Sequence, residues 1–270
     1  MRVIEKCRRV GVLLFSLAVL GAILCTSAQA WWNEEWGYRK KISLDTTSSG
    51  ADIVQNLTEF PVLVRLHSGN FDFTRVKENG EDLRFVNSDD TTLLKYHIES
   101  FDAFDEIALI WVKIPSIPGS NNQGSFWLYY GNEAAASGQD SKTTFEPMHQ
   151  AIFHFSEFEG TPQDAGPYSI HSSEYTGGLG LAGVIGNGAT FSGAGNVLTI
   201  PDNPALNFST GLTVSAWVKM FQPQADAYLF SRENGEKSIV IAVRDTKVVV
   251  EVQNGDTILS TEALTDLPLD

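Results

Sequence analysis

The chain has 270 residues and a formal net charge of −14, with 33 acidic side chains against 19 basic ones. That balance repels phosphate, so nucleic acid and anionic lipid are excluded as main partners, whereas calcium or a neutral polymer is compatible with it. The two cysteines, Cys7 and Cys25, both fall within the first thirty residues. Whatever folds beyond them uses no disulfide and depends on buried apolar surface.

Residues 1–30 read as an export signal. Arg2, Lys6, Arg8 and Arg9 precede an apolar run from Val10 to Leu24, and Ala28-Gln29-Ala30 supplies a small-x-small cleavage site. The run is shorter than the roughly 18 apolar residues that a membrane span needs. Cleavage after Ala30 is expected, with the product in a bacterial periplasm or on the cell surface. Losing those four cations and Glu5 takes the net charge from −14 to −17. The remaining length suits two domains.

Beyond the signal, strands dominate. Phe60, Val62, Val64 and Leu66 alternate onto one face, and Pro61 marks a strand start or a sheet edge. Glu106 to Ile114 is apolar on both faces and predicts a central, sandwiched strand. Ser125 to Tyr130 predicts another, and the turn-rich stretch 115–124 between them suggests a long hairpin. Glu133 to Ala136 could form one helical turn, and Ser137 to Lys142 reads as a linker, with a domain boundary near residue 145. Further on, 227–232, 238–243, 247–252 and 257–260 predict an antiparallel meander. Asn234-Gly235 and Asn254-Gly255 suggest type I′ hairpin turns, in which both central residues have positive φ.

Two stretches carry a family resemblance. Trp31-Trp-Asn-Glu-Glu-Trp36-Gly-Tyr-Arg39, Phe60-Pro-Val-Leu-Val, Gly80-Glu-Asp-Leu-Arg-Phe85, Trp111-Val-Lys-Ile-Pro115 and Tyr129-Tyr-Gly-Asn132 occur in order. Over about residues 31–140 this resembles a bacterial family known as domain of unknown function 2341. Ile152-Phe-His-Phe155, Asp164, Gly188-Ala-Thr-Phe-Ser-Gly193, Val197-Leu-Thr-Ile-Pro201 and Leu212-Thr-Val-Ser-Ala-Trp-Val-Lys219 resemble a laminin-G-like, concanavalin A-type domain. Only about half of such a domain fits before Asp270, so an incomplete one is implied. The resemblances imply an all-β chain: an antiparallel β-sandwich over 31–144, followed by a partial concanavalin A-like jelly roll over 145–270. Chains with this pair of domains sometimes precede a membrane proton channel of the MotA/TolQ/ExbB family, which implies a channel complex through a longer chain.

The candidate sites follow from residue type. Trp31, Trp32, Trp36 and Tyr38 offer flat aromatic surface of the kind that stacks on sugar rings, although alternate members could instead pack into a core. Trp111, Trp127 and Trp217 sit in apolar strands and read as core. Asp164 and Asp202 are candidate calcium ligands in the second domain, because the laminin-G-like family often holds calcium with an aspartate and backbone carbonyls. His149, His154 and His171 lie near Glu157 and Glu159 but match no zinc signature. The paired carboxylates of a concanavalin A-type hydrolase, a nucleophile elbow and a phosphate-binding glycine loop are all missing from the sequence.

The expected function is therefore non-catalytic recognition of a glycan or an envelope protein, with calcium as the one cofactor considered. The alternatives are the amino-terminal part of a secreted glycan hydrolase whose catalytic residues lie beyond Asp270, and a structural surface module.

Overall fold

A computed structural model describes residues 31–146, 149–193, 195–208 and 211–269; the proposed signal lies outside them. The chain divides into two compact units, one ending at Phe208 and the other running over Ser209–Asp270. The boundary expected near residue 145 therefore falls inside the first unit. The fold is all-β, and every strand ladder is antiparallel.

The first unit is built on two three-stranded sheets. One has the order β1 (Tyr38–Leu44), β6 (Gly124–Tyr130), β3 (Arg84–Asn87). The other has the order β2 (Leu57–His67), β5 (Ile107–Ile117), β4 (Tyr96–Asp102). Their inner faces share one core: Phe85, Phe126 and Leu128 from the first sheet meet Val64, Leu66, Ala108, Ile110 and Val112 from the second. Sheet-on-sheet burial of alternate residues is what the period-2 pattern predicts.

β5 is central, as its two apolar faces suggest. Ala108, Ile110 and Val112 are fully buried on the inner side, and Leu109 is buried on the other. Pro61 lies on an edge strand, β2, paired only with β5. Val62, Val64 and Leu66 face the core, but Phe60 at the strand's start is 44% exposed.

The expected β5–β6 hairpin does not form. β5 already has β2 and β4 on its two sides, so no edge is left for β6. Residues 118–123 instead carry the chain to the opposite sheet, where Thr46 anchors them: its hydroxyl donates to the Pro118 carbonyl (2.7 Å) and its amide to that of Asn121 (2.9 Å). Glu133 and Ala134 form a plain turn. The helical turn lies further on, α1 (Ser141–Phe145), capped by the Asp140 carboxylate, which accepts from the Thr143 amide (3.2 Å). The expected linker stays largely exposed but is tied to β4, where the Asp140 amide donates to the Tyr96 carbonyl (2.8 Å), and Phe145 just beyond it is 3% exposed.

Residues 149–208 add two short pairs, β7 (Glu174–Tyr175) with β10 (Leu198–Thr199), and β8 (Gly178–Ala182) with β9 (Asn187–Thr190). Of the laminin-G-like stretch 152–155, which that resemblance would make a strand, only a bridge between Phe153 and Asp164 forms.

The second unit is the meander β11 (Gln224–Asn234), β12 (Lys237–Asp245), β13 (Lys247–Asn254), β14 (Thr257–Glu262). Its hairpins differ from the expected type. Asn234 pairs with Lys237 and Asn254 with Thr257, so the asparagines end the strands and the loops are Gly235-Glu236 and Gly255-Asp256. Only the first central residue has positive φ, +60° at Gly235 and +61° at Gly255, which is the type II′ pattern. Asp245 takes the same place in the third loop at φ +56°. Arg244 joins β12 to its neighbours through a fork onto Glu251 (2.7 and 2.9 Å) and a contact with Asp226 (2.9 Å). Glu251 first, then Asp226, raises its pKa.

The stretch 212–219 is not a strand among the described residues, and Trp217 is 75% exposed rather than in a core. Its alternation fits a β-strand, but a strand also needs a partner ladder. Here the first pairing after it is a single bridge from Met220 to Leu269. No described helix is long and apolar enough to cross a membrane.

Candidate functional site

The outer face of the β1–β6–β3 sheet carries an aromatic cluster. Pairing of β1, β6 and β3 sets Arg39, Trp127, Tyr129 and Val86 side by side. The segment 31–36 folds over them. Trp36 is buried (6%) and donates its indole N–H to the Asp82 carbonyl at 2.6 Å. Trp31 donates its own to the Trp36 carbonyl at 2.8 Å. Trp31 meets Tyr129 edge-on at 5.3 Å between ring centres, Trp32 meets it at 5.6 Å, and Trp32 lies 4.9 Å from Trp36. Trp31, Trp32 and Trp127 are half-buried, so each keeps part of its ring accessible.

A polar set runs through this cluster. The Arg39 guanidinium lies over the rings of Trp31 (4.7 Å) and Trp127 (4.3 Å) and pairs with Asp90 at 2.6 Å. The Tyr129 hydroxyl donates to Asp90 (2.5 Å) and accepts from Arg39 (3.1 Å) and the Trp32 amide (3.1 Å), which uses its full capacity. Burial, then the bond to Asp90, raises the Tyr129 pKa. The bond that Arg39 donates to Tyr129, reinforced by the Tyr129 and Asp90 charges, raises the Arg39 pKa against burial. Asp90 reaches inward from the 87–92 turn at φ +56°, a conformation that aspartate tolerates. Beside it the Thr92 hydroxyl and amide hold Asp89 down to about 2.

Of the four predicted aromatic ligands, the structure joins Trp31, Trp32 and Trp36 and leaves Tyr38 apart. Tyr38, 39% exposed, stacks on Tyr130 at 5.4 Å, on the other face of the sheet. Trp36 is a packing residue. Sequence reasoning missed Arg39, Asp90 and Tyr129; the only signal was the spacing that places residue 39 opposite 129 once the register is known.

Asp164 is buried (5%) and its oxygens are engaged by backbone donors. Oδ1 accepts from the amides of Ile152 and Gly166, and Oδ2 from Ile170, each at 2.7 Å. Its own amide donates to His171 Nδ1 at 3.1 Å. This carboxylate closes a loop by satisfying three N–H groups, a use that competes with cation binding. Asp202 is exposed in another loop. Among the described residues, no three His, Cys, Asp or Glu side chains come together in a way that could hold a metal ion. Glu157 accepts from the Gln163 amide at 2.7 Å.

A second titratable cluster lies on the outer side of β4 and β5. In β4, Ile98 pairs with Ile110 and Ser100 with Leu109, so Glu99 is the extra residue of a bulge. Glu99 Oε2 accepts from Trp111 Nε1 (2.6 Å) and lies 3.2 Å from His154 Nδ1. His97 stacks on His154 at 5.2 Å, and Phe145 closes the group. Glu99 Oε1, His97 Nδ1 and His154 Nε2 are buried without a hydrogen-bond partner. The backbone at Gly186 (φ +56°) crosses so closely that a Cβ there would sit 2.8 Å from Glu99 Oε1. Burial, then the His154 charge, pushes His97 down to about 4. Burial would raise Glu99, but His154 and Trp111 outweigh it, so its pKa falls. Of this group the sequence singled out His154 and, as a core residue, Trp111.

Residues 79–170, roughly a third of the chain, match the model of a family described as "Domain of unknown function (DUF2341)". The match holds Asp82, Asp90, His97, Glu99, Trp111, Trp127, Tyr129, His154 and Asp164. It starts later than the stretch expected from the motifs and runs past residue 145. No curated protein and no solved structure matches the chain.

Proposed function

We propose that the chain is an exported, non-catalytic recognition module that binds a neutral glycan on the outer face of the β1–β6–β3 sheet. The observation that supports this reading is the set of half-buried indoles of Trp31, Trp32 and Trp127, anchored around the Arg39–Asp90 pair. A sugar ring offers an apolar C–H face and a rim of hydroxyls. Indoles fixed by buried neighbours meet that face with little loss of side-chain entropy, and the Arg39–Asp90 pair beneath them holds Trp31 and Trp127 in place. A neutral polymer needs no cationic surface on a chain of net charge −14.

The test is binding of the purified full chain to a panel of soluble neutral oligosaccharides. At least one should bind, and Trp32→Ala should weaken it about tenfold with the fold intact, the loss expected for one stacking aromatic. Hydrolysis of the bound sugar, or unchanged binding by Trp32→Ala, would count against the proposal.

A further inference from the structure

A second binding feature lies along the open edge of the same sheet, at β1. β1 and β2 are each the edge of their own sheet, and their residues together line a groove of ≈ 270 Å³. Ile42, Val62 and Val64 line it together with three cations, Lys40, Lys41 and Arg65. Among the described residues, no carboxylate lines it, although acids outnumber bases in the chain. Among the described residues, none of the three cations has an ion-pair partner. Lys40 shares the core-facing side of β1 with Ile42 and Leu44 and is half-buried.

The edges differ in what they offer. On β2, the Asn70 side chain already fills part of a partner's place: its Nδ2 donates to the Arg65 carbonyl (3.1 Å), and its Oδ1 accepts from the His67 amide (2.9 Å). Residues two apart point their main-chain groups the same way, so position 61 faces this open edge too, where proline has no N–H to give. On β1, the Gly37 amide donates to Gly131 on the β6 side, at 3.3 Å. By the same alternation the main-chain groups of Lys40 and Ile42 face the open edge, and among the described residues neither a proline nor a capping side chain blocks it.

We infer that β1 is a docking edge for an extended acidic segment of a partner protein, which adds as a fourth strand to the β1–β6–β3 sheet and lays alternate apolar side chains into the groove. Main-chain bonds to Lys40 and Ile42 supply affinity. Charge complementarity with Lys40, Lys41 and Arg65 selects carboxylates over cations. Edges left unpaired are usually blunted, and lysines on this edge disfavour pairing with a second, equally basic copy of itself.

The experiment uses the full chain and two short synthetic peptides, one alternating aspartate with valine and the other lysine with valine. Fluorescence anisotropy should show binding of the aspartate peptide alone. Hydrogen exchange should slow at Lys40 and Ile42. The pair K40E with K41E should weaken binding by about tenfold or more while the melting midpoint holds. If that pair misfolds, R65E should give the same direction of change. Equal affinity for both peptides, binding of neither at millimolar concentration, protection confined to other strands, or self-association of the chain through β1 would overturn the inference.

Discussion

Replacing His97 by phenylalanine tests the reading of the β4–β5 outer face. His97 is held down to about 4 from an ordinary 6.5, by burial first and the His154 charge second. Its neighbours include Glu99 on the same strand, Trp111 on β5, and Phe145 and His154 from the covering segment. Between pH 6.5 and 4 the unfolded chain binds a proton at this position that the folded chain refuses. Stability is therefore unaffected above pH 6.5 and falls as the pH drops through that window. Lowering the pKa from 6.5 to about 4 costs about 3 kcal/mol of stability by pH 4. Glu99, whose pKa is lowered, contributes in the same direction but only below its ordinary 4.5. Denaturant melts followed by tryptophan emission, taken from pH 7.5 to 4, should show a shallower decline for His97→Phe than for the wild type. The difference should accumulate between pH 6.5 and 4. Parallel curves through that window would refute a neutral, buried His97.

Four further outcomes follow from single contacts. Asp164→Ala strands three backbone amides and should destabilise the first unit by about 3 kcal/mol or more in chemical denaturation, with Asp164→Asn losing less. Removing calcium with a chelator should leave the melting midpoint unchanged; a fall would return Asp164 or Asp202 to the role of ligand. Arg39→Ala leaves Asp90 buried and unpaired and should cost about 3–5 kcal/mol, with Arg39→Lys a poor rescue because it cannot bridge two indoles, Asp90 and Tyr129. Asp245→Gly relieves a positive φ and should stabilise the second unit by up to about 1 kcal/mol, whereas Gly235→Ala should destabilise it by about 1–2 kcal/mol.

Much of the fold could be read from local pattern, because alternation and turn chemistry are local. The two apolar faces of 106–114 placed β5 at the centre of a sheet, Pro61 placed β2 at an edge, and the spacing of turn residues located all four meander strands. What failed depends on pairing. The 115–124 turn cluster reads as a hairpin until β2 and β4 are known to occupy both sides of β5. The alternation of 212–219 buried Trp217 only if an opposing sheet covered it, and the side chain is 75% exposed. The aromatic site was half legible for the same reason. Composition singled out Trp31 and Trp32, but Arg39, Asp90 and Tyr129 reach them only through the β1–β6 register and the 87–92 turn. Glu99 owes its surroundings to a bulge that no periodicity announces.

Export has its own check: expression with the amino-terminal segment intact should yield a mature chain starting at Trp31 by mass spectrometry, and an uncleaved chain would contradict it. The central proposal, a glycan site on the outer face of the β1–β6–β3 sheet, is tested most directly through the six indole N–H resonances during titration with a bound oligosaccharide. Trp31, Trp32 and Trp127 should shift together, while Trp111, beneath Phe145, and the exposed Trp217 stay fixed. Shifts confined to Trp217, or none at saturating sugar, would contradict it.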